Sequence, residues 1–75
     1  LEEITIKIDS ETEMLTRVLK ESKLLKSTSE AIRMINQGAI KVNEAKVIDD
    51  KLELKKGTSN LVQVGKKKAA KIIIE

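Results

Sequence analysis

The 75-residue chain has no cysteine, no histidine, no proline, and no Phe, Tyr or Trp. Without cysteine, neither a disulfide nor a zinc–thiolate site can hold so small a domain together. Without histidine, the usual general base and the commonest nitrogen ligand for metals are missing. Without aromatic rings, a protein that reads bases by stacking them on side chains is excluded. No apolar run approaches the roughly 18 residues that a membrane-spanning helix requires. Leu1-Glu2-Glu3 is neither an initiator Met nor a basic signal peptide, so the chain reads as a domain cut from a larger protein. The lack of cysteine fits a cytoplasmic origin.

What remains is rich in charge. Hydrophobic residues make up 40% and charged residues 36%, which is too apolar for a disordered tail and suits one small folded domain. The charge is uneven. Residues 1–22 carry three basic and six acidic side chains, a balance of −3, while residues 23–75 carry twelve basic and six acidic, a balance of +6. A basic body behind an acidic leader points to a polyanionic partner, although a lysine-rich solubilising surface has the same composition.

Ile4, Ile6 and Ile8 alternate with Thr5 and Lys7, so residues 1–13 read as a leader able to form a short strand, with the domain proper over 14–75. Ser10-Glu11-Thr12-Glu13 matches a capping box, and Met14, Leu15, Val18 and Leu19 follow at helical spacing, which predicts a first helix from about Glu11 to Ser22. Ser27-Thr28-Ser29-Glu30 is a second capping box. It opens a helix with Ala31, Met34 and Ile35 on its buried stripe and Gly38 as its left-handed cap. Beyond Gly38 the period changes to two. Ile40–Val42, a segment restarting at Val47, Leu52–Leu54, Leu61–Val64 and Lys71–Ile74 read as strands. Helices first and strands later predict an α+β fold, two helices packed on a small, mostly antiparallel sheet.

Catalysis has little to work with. No nucleophile–base pair can be assembled without His or Cys, and no Gly-rich phosphate loop exists, since the glycines lie apart at 38, 57 and 65. Asp49-Asp50 reads as a solvated loop rather than a metal site, and no cofactor is expected. The second helix and its hairpin are more specific. Arg33 points away from the stripe of Ala31, Met34 and Ile35, where a guanidinium can grip a phosphate in bidentate fashion. Lys41 projects from the face opposite Ile40 and Val42, and Lys46 follows on the return strand. Ser27 and Ser29 either cap the helix or offer hydroxyls to a phosphate at its positive end. Taken singly, Ser27 reads as a cap and Lys46 as a solvent-facing lysine; together these residues favour nucleic acid.

Ser27-Thr28-Ser29-Glu30-Ala31-Ile32-Arg33-Met34-Ile35, followed by Gly38-Ala39-Ile40-Lys41-Val42-Asn43 and Val47, resembles the RNA-binding domain named after the fourth small-subunit ribosomal protein. Val62-Gln63-Val64-Gly65-Lys66-Lys67-Lys68 is similar to the carboxy-terminal domain of bacterial-type tyrosyl-tRNA synthetases. The resemblance covers about Met14 to Ile74. It implies an alpha-L RNA-binding motif that grips tyrosine tRNA around the anticodon stem and long variable arm. The tyrosine-activating catalytic domain of the parent chain would be its covalent partner. Carried over by position, Ser27, Ser29, Arg33, Lys41 and Lys66, Lys67 and Lys68 are the expected RNA contacts. Five positions depart from the family pattern. Thr28 stands for a basic residue, Ile32 for the first arginine of a pair, and Ala69-Ala70 for residues that are often aromatic. Glu44 replaces the glycine after Asn43, which predicts a longer turn running through Ala45 because a tight one needs positive φ. Two alternatives stay open: a free-standing ribosome-associated protein, and a protein-interaction module pairing through a sheet edge near Ile72-Ile73-Ile74. The same isoleucines also suit a strand covered on both faces.

Overall fold

Strands form where apolar residues alternate, and seven of them are the larger part of the regular structure. A computed structural model describes residues 1–75 as β1 (Glu2–Ile6), β2 (Thr12–Met14), α1 (Leu15–Glu21), α2 (Thr28–Asn36), β3 (Ile40–Val42), β4 (Ala45–Lys46), β5 (Glu53–Lys55), β6 (Ser59–Val64) and β7 (Lys68–Ile74). Five strands make one sheet in the order β1-β7-β6-β3-β4, and β2 pairs with β5 in a separate ribbon. Only β1 and β7 run parallel. The expected α+β class with a mostly antiparallel sheet is what the chain adopts.

Register decides which residues enter the core. Ile4, Ile72 and Asn60 lie side by side across three strands, as do Ala70, Val62 and Val42, and Val64 faces Ile40. This inner face meets Leu15, Val18 and Leu19 from α1 and Ala31 and Ile35 from α2 in one cluster. Ile72 and Ile74 are fully buried, so shortening either to alanine should cost about 2–5 kcal/mol. The loss is large against the few kcal/mol that a core of this size supplies.

Two expectations and one of the alternatives need correction. The first helix does not begin at Glu11. Residues Thr12–Met14 are drawn into β2 by pairing with Glu53–Lys55, about forty residues away, and α1 starts only at Leu15. Its first amide is satisfied by the Leu52 carbonyl at 2.8 Å instead of a side-chain cap, while the Thr12 hydroxyl donates to Glu53. A long-range partner outcompetes the local capping signal. The hairpin turn is not lengthened either. Val42 pairs directly with Ala45, leaving a two-residue loop in which Asn43 and Glu44 both take positive φ, +52° and +71°. Lastly, Ile72-Ile73-Ile74 is not an edge. β7 lies between β1 and β6, which removes the free strand that the protein-interaction alternative needed.

The strand predicted in the leader exists and is built into the sheet. Ile8 donates to the Glu75 carbonyl at 2.8 Å and Glu75 to the Ile6 carbonyl at 2.9 Å, extending the pairing of β1 with β7 past both strand ends. The acidic leader thus occupies one edge of the sheet, and the hairpin bearing Lys41 and Lys46 occupies the other. No helix of the structure is long and apolar enough to cross a membrane.

Candidate nucleic-acid interface

The amino end of α2 is built as the sequence predicts. Ser27 has extended backbone geometry and its hydroxyl oxygen accepts the Glu30 amide at 3.1 Å. Glu30 reaches back to the Lys26 amide at 2.9 Å, one residue further than a standard capping box, and its other oxygen stands 3.9 Å from the Arg33 guanidinium. Ser27 is therefore a cap, with its oxygen engaged in the fold. Ser29 and Arg33 lie on the exposed surface one turn apart, and Gln37 continues the same line a turn later. Arg33 remains 65% accessible despite its contact with Glu30.

At the other end the helix stops in a left-handed cap. Gly38, at φ +74°, donates to the Ile35 carbonyl at 2.9 Å and Ala39 to the Met34 carbonyl at 3.0 Å, the paired bonds of a Schellman motif. The chain then turns straight into β3. Ile40 is buried and Lys41 points outward, opposite Lys46 on β4. Two like charges directly across a ladder repel, and neither has an acidic partner within ion-pairing distance. The Lys46 side chain lies against the helix end: a Cβ added to Gly38 would come within 3.5 Å of its Nζ. There the ammonium meets the negative pole of α2.

The turn between β6 and β7 supplies the remaining lysines. Val64 pairs with Lys68, so Gly65, Lys66 and Lys67 form a three-residue loop with Gly65 at φ +61°. The Gly65 amide donates to the Ala39 carbonyl at 2.7 Å, which fixes this loop to the segment following α2. Lys66 and Lys67 are exposed. Lys68 donates through Nζ to the Leu24 carbonyl at 3.3 Å and so braces the loop against the connection between the helices.

Tertiary structure thus gathers residues that are distant in sequence onto one flank. A groove of about 510 Å³ is lined by Gln37, Gly38, Ala39, Lys41, Gln63, Gly65 and Lys66. A neighbouring one of about 300 Å³ shares Gln37 and Gly38 and adds Lys46 and Ile48. Neither contains a carboxylate. Lys41, Lys46 and Lys66 rim these two grooves, Arg33 approaches along α2, and Lys67 and Lys68 line an adjoining depression with Glu30 and Met34. Ser27 stands apart from them at the start of the helix. Gln37 and Gln63 were not singled out by the sequence reading. The available signal was the outward phase of Gln63 between buried Val62 and Val64. No group of side chains is arranged to hold a metal ion.

Fold and flank together define a small α+β module that presents an unneutralised cationic surface. The chain belongs to the tyrosine–tRNA ligase SYY-like C-terminal domain family, whose pattern matches residues 3–72. It is similar to tyrosine–tRNA ligase 2 of Pseudoalteromonas translucida, 48% identical over 73 residues, covering 96% of this chain and 18% of that protein. It is 54% identical over 61 residues to the tyrosine–tRNA ligase of Francisella tularensis, covering 81% of this chain and 15% of the relative. The enzyme from Legionella pneumophila matches at 45% over all 75 residues, again 18% of its length. The chain therefore spans less than a fifth of the ligases it matches. Of the two nucleic-acid readings left open by the sequence, the matches fall on the synthetase side.

Proposed function

We propose that this chain is a non-catalytic tRNA-binding module, the appendage through which a tyrosine–tRNA ligase grips tyrosine tRNA by phosphate and shape contacts. The observation that carries the proposal is the clustering of Lys41, Lys46 and Lys66 around two carboxylate-free grooves, with Lys67 in the adjoining depression and Arg33 and Ser29 on the neighbouring helix face. A fold gains nothing from holding Lys41 opposite Lys46, whereas a polyanion neutralises both. Affinity comes mainly from counterion release, and specificity from RNA shape and 2′-hydroxyls. Ser27 and Lys68 position this surface through their own internal bonds. The catalytic domain of the parent ligase supplies the chemistry in the cytoplasm, and tethering raises the effective concentration of each module for the same tRNA.

The test is a titration of the chain with tyrosine tRNA and with an unrelated tRNA of equal length, each at two salt concentrations. Tighter binding of tyrosine tRNA and a steep fall with salt are expected. Absence of binding at low salt would overturn the proposal.

A further inference from the structure

Lysines alone suffice to bind a phosphate, yet the largest groove on the cationic flank is also lined by two carboxamides. Gln63 projects from β6 on the outer face of the sheet, directly between Lys41 of β3 and Ala69 of β7. The small Ala69 side chain leaves it uncovered from that side. Gln37 borders the same groove from the end of α2. The structure pairs neither amide with another group of the chain, although Gln63 is half-buried. The backbone amides of Gly38 and Gly65, in contrast, are already committed to the Ile35 and Ala39 carbonyls. Apart from the ammonium groups of Lys41 and Lys66, the free side-chain hydrogen-bonding capacity of the groove resides in the two glutamines.

Their chemistry differs from that of the lysines. A carboxamide both donates and accepts, and its oxygen repels a phosphate. Two carboxamides beside two ammonium groups match a ligand in which a hydroxyl adjoins a phosphodiester. In A-form RNA that combination lies along the shallow minor groove, where 2′-hydroxyls sit within reach of short side chains. We propose that Gln37 and Gln63, with Lys41 and Lys66, form a ribose-reading subsite: the lysines take a backbone phosphate and the amides take the neighbouring 2′-hydroxyl. This deepens the tRNA-binding reading above and rests on it. The subsite distinguishes RNA from other polyanions, which the lysines by themselves cannot do.

The experiment compares tyrosine tRNA made with ribose against the same molecule made with 2′-fluororibose throughout. The second keeps the A-form helix and removes the hydroxyl donor. The wild-type chain should bind the fluoro form about tenfold more weakly, the equivalent of one or two neutral hydrogen bonds. The double variant Gln37→Ala with Gln63→Ala should lose a similar factor on ribose tRNA, lose nothing on the fluoro form, and keep its salt dependence. Lys41→Ala should weaken both and flatten the salt dependence. Neither glutamine side chain takes part in the hydrogen-bond network, so the variants should fold, and circular dichroism checks this. Equal losses on both tRNAs, or no loss on either, would overturn the subsite while leaving tRNA binding intact. Failure of the wild-type chain to bind ribose tRNA at low salt would overturn both.

Discussion

Glu44 occupies the second position of a turn in which both central residues take positive φ, a conformation that costs a non-glycine residue about 1–2 kcal/mol. The turn stays short because Asn43 anchors it. The Asn43 amide donates to the Leu61 carbonyl at 2.7 Å, its side-chain oxygen accepts the Leu61 amide at 2.9 Å, and its Nδ2 donates to Asn60 at 3.2 Å. Three bonds to β6 outweigh one unfavourable φ. Glu44→Gly should therefore raise stability by about 1 kcal/mol, read as a higher urea midpoint with unchanged slope. Ser27→Ala should cost about 1 kcal/mol through loss of the helix cap, whereas Ser29→Ala, on the exposed face, should leave the same midpoint nearly unchanged. Equal effects from the two serines would contradict the division of roles seen here.

The hairpin of β3 and β4 illustrates a conflict between fold and surface. Lys41 and Lys46 repel across the ladder, so Lys41→Glu should stabilise the domain by about 0.5 kcal/mol while weakening tRNA binding. Opposite signs in the two measurements would mark a position held for binding; loss of both would mean that Lys41 supports the fold. On α2 the corresponding comparison is Arg33→Ala against Lys20→Ala on α1. The first should weaken tRNA binding more. Arg33 pairs only with Glu30 at 3.9 Å on an exposed surface, a contact of little value to stability, so its loss should leave the urea midpoint nearly unaltered.

Across the whole molecule the sheet order separates the charges that the sequence already divides. β1 with Glu2 and Glu3 stands four strand spacings from β4, roughly 19 Å, or about twice the screening length at physiological salt. The acidic leader is thus too distant to neutralise Lys41 and Lys46. Its contribution is structural: Ile4, Ile6 and Ile8 pack against the core, and β1 covers the outer edge of β7. Removing residues 1–8 should destabilise the domain by about 3 kcal/mol or more and expose β7 to pairing between chains. Circular dichroism and size-exclusion chromatography check this. A truncated chain with an unchanged melting midpoint would return the leader to the status of a mere extension.

Much of this protein is determined by its sequence alone. The period-two isoleucines of the leader, the stripe of Ala31, Met34 and Ile35, the Ser27 cap and the left-handed Gly38 cap are local signals. Each depends on residues within four positions of one another, so each is legible without the fold. The outward phases of Arg33 and Lys41 follow from the same arithmetic. What the tertiary structure alone decided involves partners far apart in sequence. The capping box at Ser10–Glu13 yields to β5, because pairing with Glu53–Lys55 draws Thr12–Met14 into a strand with a partner that periodicity cannot register. The tight Asn43–Glu44 turn survives because β6 holds it, and Ile72–Ile74 becomes an interior strand because β1 returns to cover it. The groove joining Gln37, Lys41, Gln63 and Lys66 exists only once the β6–β7 loop is tied to Ala39. Local sequence fixes what each residue can do, while long-range pairing fixes which of them line the same groove.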